Sequence, residues 1–104
     1  MKLKYTKGTS YPILTQNGYK MVTGYTANYN GIVYGIHKSE EPETKNLWVT
    51  TDLATGCWIN REYTLKASKE ALEEYLEEIT NALLAREERR AKLNKQLNSM
   101  YNKK

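Results

Sequence analysis

After Gly56 the chain contains no further glycine or proline, and one apolar stripe runs through the rest of it. Leu72, Leu76, Ile79, Leu83, Leu93, Leu97 and Met100 keep a spacing of four and three residues, with Arg86 and Arg90 in phase between them. That period is helical. Ser68 is a suitable cap for such a helix, and Glu70, Glu73 and Glu74 fall in its first turns, where a negative charge meets the positive end of the dipole. The spacing predicts helix over residues 68 to 101. A straight helix of that length extends about 50 Å, whereas a compact chain of this size is only about 34 Å across. Either the helix breaks near Thr80-Asn81 and folds back as a helical hairpin, or it overhangs and another molecule covers its far end. The unbroken phase favours the second solution. The seven apolar stripe residues are therefore expected to form the interface of a homo-oligomer.

The preceding two-thirds reads as strand. Asn17-Gly18 separates Ile13-Leu14-Thr15 from Tyr19-Lys20-Met21-Val22, and Asn30-Gly31 precedes Ile32-Val33-Tyr34-Gly35-Ile36. Both pairs are strong hairpin signals. In the second strand Ile32, Tyr34 and Ile36 alternate with Val33, Gly35 and His37, which puts the former on a core face and His37 toward solvent. Residues 39 to 46 are polar and loop-like. Leu47 to Thr51 and Cys57 to Arg61 form a further pair about a turn at Asp52–Gly56, and Leu3 with Tyr5 adds an edge strand. The expected fold is α+β: residues 1–67 form an antiparallel meander of five or six strands, followed by a helical segment, residues 68–104, as one compact unit. Trp48 and Trp58, on paired strands, are expected in the core.

Charge is distributed unevenly. Residues 1–67 carry eight basic and five acidic side chains, residues 68–80 one lysine against five glutamates, and residues 81–104 seven basic against two acidic. A helix dipole alone rewards this order. The alternative is a basic surface built to attract an anion. Arg86 and Arg90 sharpen the choice, because a guanidinium on an apolar stripe needs either a carboxylate partner or a route to solvent. Arginine also suits the two-pronged geometry of phosphate.

The inventory for catalysis is thin. His37 is the only histidine, Cys57 the only cysteine and Asp52 the only aspartate. No nucleophile–base–orienter set is legible, no glycine-rich phosphate loop, and no metal-ligand spacing. Cys57 reads as a small buried hydrophobe. No enzyme, metal or cofactor is expected. Nine tyrosines and two tryptophans stand beside a complete absence of phenylalanine. Tyr25, Tyr29 and Tyr34 bracket Asn28 and Asn30 around the second hairpin, a grouping able to stack on a ring and bond its edge. A coding bias toward Tyr, Asn, Lys and Ile would produce the same excess without function.

The stretch Leu47-Trp48-Val49-Thr50-Thr51-Asp52-Leu53-Ala54-Thr55-Gly56, followed by Trp58-Ile59 and then Ser68-Lys69-Glu70-Ala71, resembles small phage-encoded anti-defence proteins, among them the Thoeris anti-defence sponge family. The resemblance covers residues 32–80. It implies a non-enzymatic oligomer with a sheet before its helices that sequesters a cyclic ADP-ribose-type immune signal. The strand–turn–strand–helix order is also similar to the arm-binding domain of phage integrases. Taken together, the chain is expected to trap a small anionic nucleotide with Arg86, Arg89 and Arg90 of the helix and Tyr25, Asn28, Tyr29 and Asn30 of the sheet. An anti-CRISPR-like inhibitor of a host nuclease is the second expectation. A DNA-binding module is the third, disfavoured by the glutamates at residues 70–78. No apolar run resembles a membrane span or a signal sequence, so the expected location is the host cytoplasm.

Overall fold

A computed structural model describes residues 2 to 101. Lys103 and Lys104, counted above in the basic end, lie outside the described residues. Five strands, β1 (Thr6–Thr15), β2 (Gly18–Tyr29), β3 (Ile32–Lys38), β4 (Trp48–Asp52) and β5 (Cys57–Glu62), precede three helices, α1 (Leu65–Glu74), α2 (Leu76–Leu84) and α3 (Glu87–Tyr101). Each strand pairs antiparallel with the next, in the order β1-β2-β3-β4-β5. Leu3 and Tyr5 form no strand. They pack against the core instead, and the Leu3 N–H and the Tyr5 hydroxyl both donate to a Glu73 carboxylate oxygen on α1, at 3.2 and 2.9 Å.

The Asn-Gly pairs act as expected. Asn30 and Gly31 both take positive φ, 51° and 83°, the backbone hand that matches the twist of a tight hairpin. On β3 the side chains of Ile32, Tyr34 and Ile36 point toward the helices and join Leu72 and Leu76 in a buried cluster. Tyr34, 1% exposed, completes its hydrogen bonding through Thr80 of α2, with the two hydroxyls 2.6 Å apart.

The opposite face is not open to water. The β1–β2 hairpin curls over it, and the Leu14 N–H donates to the Gly56 carbonyl at 2.7 Å. Tyr11 lies so close to β3 that a Cβ at Gly35 would sit 2.5 Å from its ring, so only glycine fits there. His37 is consequently buried, 3% exposed, with the Tyr11 ring edge-on at 6.1 Å. A solvent-facing histidine was the expectation. Alternation identifies a second face but not a hairpin folded across it.

The helical segment departs most from a straight rod. It starts at Leu65, capped by Thr64, whose hydroxyl accepts the Ala67 N–H at 3.0 Å; Ser68 is wholly buried inside the first helix. It then bends twice, at Tyr75 (φ −106°, ψ 19°) and at Ala85–Arg86, rather than at Thr80-Asn81, which lie within α2. Neither bend frees the backbone. The Tyr75 N–H still reaches the Ala71 carbonyl, and the Arg86 N–H tightens onto Leu83 three residues back. The reason for bending is burial. Leu72, Leu76 and Leu97 are each 2–3% exposed, and covering a leucine contributes about 2 kcal/mol. Ile79 and Leu83 are half-buried against the core cluster. Among the described residues the curved path keeps the extents to 38 × 32 × 23 Å, with no overhanging rod. Of the seven stripe residues assigned to an oligomer interface, three are thus interior to their own chain, while Met100 is 55% exposed. Among the described residues no helix is long and apolar enough to cross a membrane.

Candidate functional site

Asp52 closes β4, and it organises the turn after that strand. Its carbonyl accepts the N–H groups of Thr55 and Gly56 at 3.2 and 2.8 Å, and one carboxylate oxygen accepts the Ala54 N–H at 3.2 Å. The carboxylate is 2% exposed. Such a charge is costly to bury alone, and Arg90 of α3 answers it with both prongs: Nε to Oδ2 at 2.8 Å and Nη2 to Oδ1 at 3.0 Å. This bidentate bond holds the guanidinium in its charged form, against a smaller opposing effect of burial. One turn later Asn94 donates to the Ala54 carbonyl at 2.6 Å. Helix α3 is therefore stitched to the β4–β5 turn at two points.

That stitching fixes the direction of the two remaining arginines. Arg86 and Arg89 are exposed, and no carboxylate oxygen lies within 4 Å of either among the described residues. Both line a groove of about 380 Å³ between β5 and the α2–α3 bend. Its floor is apolar, from Ile59, Ile79 and Leu83, and Cys57 and Trp58 form the sheet-side wall. With Asp52 and Arg90 cancelling, the lining carries a net charge of two positives. Trp58 is 54% exposed, contrary to the core placement expected from its strand; it stands on the outer strand, opposite Thr51 and beside a bulge between β4 and β5. The Arg61 guanidinium covers one face of its ring, 3.9 Å from the centroid. Cys57 is half-buried in the groove rather than enclosed.

The other expected ligand residues stand elsewhere. Tyr25 lies under α1, 6.4 Å from the Trp48 ring, and the Lys69 ammonium sits 4.8 Å above it and 4.7 Å from Tyr5. Tyr29 packs onto the core, and Asn28 and Asn30 are exposed at the hairpin. None of these four lines the arginine groove. The structure thus brings Arg86, Arg89 and Arg90 together and separates them from the tyrosine–asparagine group. Asp52, Trp58 and Asn94 were not singled out as site residues from the sequence. The signal for Asp52 was present, as the sole aspartate heading a Thr-Gly turn, but its partner is 38 residues distant.

His37 faces away from this groove, on the back of the sheet with Val49. Burial pushes its pKa down to about 4, against a smaller upward pull from Glu40, so it is neutral at physiological pH. Among the described residues no three His, Cys, Asp or Glu side chains converge as a metal site. The geometry offers charge, an aromatic wall and an apolar floor. No protein-family model, curated protein or solved structure matches the chain.

Proposed function

We propose that this protein is a non-catalytic binder that sequesters a small anionic ligand of the nucleotide class in the groove between β5 and the α2–α3 bend. The observation that carries the proposal is the pair of guanidiniums, Arg86 and Arg89, without carboxylate partners among the described residues, beside an exposed indole and an apolar floor. Phosphate oxygens match the guanidinium fork, and a base matches the space against Trp58. Arg90 has a different role from the one expected: bound to Asp52, it positions the helix that presents the other two. Sequestration requires affinity and abundance but no reacting group, which accords with the counter-defence resemblance and a cytoplasmic setting.

Calorimetry against a panel of cyclic mononucleotides, cyclic dinucleotides and ADP-ribose derivatives tests the assignment. Heat with at least one member at micromolar protein is expected, and the Arg86→Glu/Arg89→Glu variant abolishes it. Silence across the whole panel, or binding indifferent to that double substitution, refutes the proposal.

A further inference from the structure

Strand β5 is the outer strand of the sheet. At one end this edge is approached by β1, which packs against β5 and donates from the Leu14 N–H to the Gly56 carbonyl just before it; along the rest of the edge no backbone partner is present among the described residues. An unpaired edge of this kind is a template for another strand. The edge also runs beside a second groove, about 530 Å³ and mostly apolar, between β5 and the α1–α2 pair. Both helix-side grooves open along the same border.

The helical residues that overlook this border are Tyr75, Glu78, Ala82, Arg86 and Arg89. They are three and four positions apart, one stripe along α2 and the bend into α3. The chemistry of the stripe reverses about Ala82. Glu78 stands four residues before it and Arg86 four after; Tyr75 stands seven before and Arg89 seven after. None of the four forms an ion pair or a stacked contact among the described residues, and Tyr75 is 55% exposed. A stripe that is complementary to its own reverse is the signature of an isologous contact, in which one patch meets itself across a two-fold axis.

We propose that the chain forms a two-fold homodimer through this border, with the β5 edges antiparallel and the stripes facing each other about Ala82. Glu78 of each copy then meets Arg86 of the other, and Tyr75 meets the guanidinium of Arg89. The two Ala82 methyl groups are small enough to let the helices approach at the axis. A two-fold axis perpendicular to the sheet necessarily runs both β5 and α2 antiparallel to their copies, so one operation satisfies the edge and the stripe together. An alternating strand on β5 also projects side chains toward the grooves on that face. The occupant is therefore a second copy of this chain, selected by charge. The apolar residues Leu72, Leu76 and Leu97, enclosed in each subunit, take no part.

The dimer engages Arg86 and Arg89, the guanidiniums of the proposed nucleotide groove, so the mass is measured on nucleotide-free protein to keep the two readings apart. Light scattering of the full chain, from low micromolar to near-millimolar concentration, is expected to approach twice the single-chain mass. Glu78→Arg and Arg86→Glu each place like charges across both symmetry-related contacts, at exposed positions that leave the core untouched. Each is expected to weaken dimerisation at least roughly tenfold, about 1.4 kcal/mol. The Glu78→Arg/Arg86→Glu double variant restores the pairs with their signs exchanged and is expected to recover the dimer. A single-chain mass at the highest concentration overturns the proposal. So does a dimer indifferent to Glu78→Arg, or a double variant no stronger than the singles.

Discussion

Replacing Arg90 by methionine removes the guanidinium while retaining much of the aliphatic length that packs beside the β4–β5 turn. The Asp52 carboxylate, 2% exposed, then loses both of its charged hydrogen bonds, at 2.8 and 3.0 Å. Breaking a buried pair from one side costs about 3–5 kcal/mol, chiefly because the surviving charge stays desolvated. Asp52 keeps the Ala54 N–H at 3.2 Å and a long contact to the Thr55 hydroxyl at 3.4 Å. The lower end, about 3 kcal/mol, is therefore expected. In a chain of this size each kcal/mol lowers Tm by about 4–8 °C, giving a fall of roughly 12 to 24 °C. Urea unfolding followed by far-ultraviolet circular dichroism measures the loss directly. The Asp52→Asn/Arg90→Met double variant should lose about 1–3 kcal/mol less than the sum of the singles, because neither group is then left charged and alone. A loss below about 1 kcal/mol in Arg90→Met, or strict additivity in the cycle, refutes the claim that this pair anchors α3.

Three further outcomes rest on burial. His37 has a folded pKa near 4 against an ordinary 6.5, so the unfolded chain binds a proton that the folded chain refuses. Stability is full above pH 6.5 and declines as pH falls toward 4, by about 3 kcal/mol in all; His37→Gln should flatten that slope in pH-dependent urea melts. Burial raises the phenol pKa of Tyr5, Tyr11 and Tyr34, reinforced in Tyr5 by its bond to Glu73 and opposed in Tyr34 by its bond to Thr80. Their contribution is complete below about pH 10 and lost above it, so spectrophotometric titration should show these tyrosines ionising only as the protein unfolds. Gly35→Ala forces a methyl against the Tyr11 ring and Leu53, and its denaturant midpoint should fall by the equivalent of about 1–3 kcal/mol.

Local signals were legible and long-range ones were not. Asn30-Gly31 placed a hairpin correctly because a positive φ at both residues is a property of those two residues alone. The alternation of Ile32, Tyr34 and Ile36 revealed the core face for the same reason. The position of His37 depends instead on Tyr11, brought across the sheet by the curl of a different hairpin. The helix bends at Tyr75 and Ala85–Arg86 carry no glycine or proline. They arise because Leu72, Leu76 and Leu97 must all reach a curved surface, and periodicity measures phase rather than curvature. Arg86 and Arg90 were identified by their place on the stripe, but which of the two stayed free was decided by Asp52, a residue whose burial no spacing announces.

All four sheet pairings join strands adjacent in sequence. Each hairpin therefore closes only a short loop, and the sheet can assemble progressively as the chain leaves the ribosome. The apolar side of that sheet waits for residues made later. Leu3 joins Glu73 across 70 positions and Asp52 joins Arg90 across 38. Synthesis thus passes through an interval in which Ile32, Tyr34 and Ile36 are paired but unroofed, and it ends only when α1 and α2 arrive to cover them.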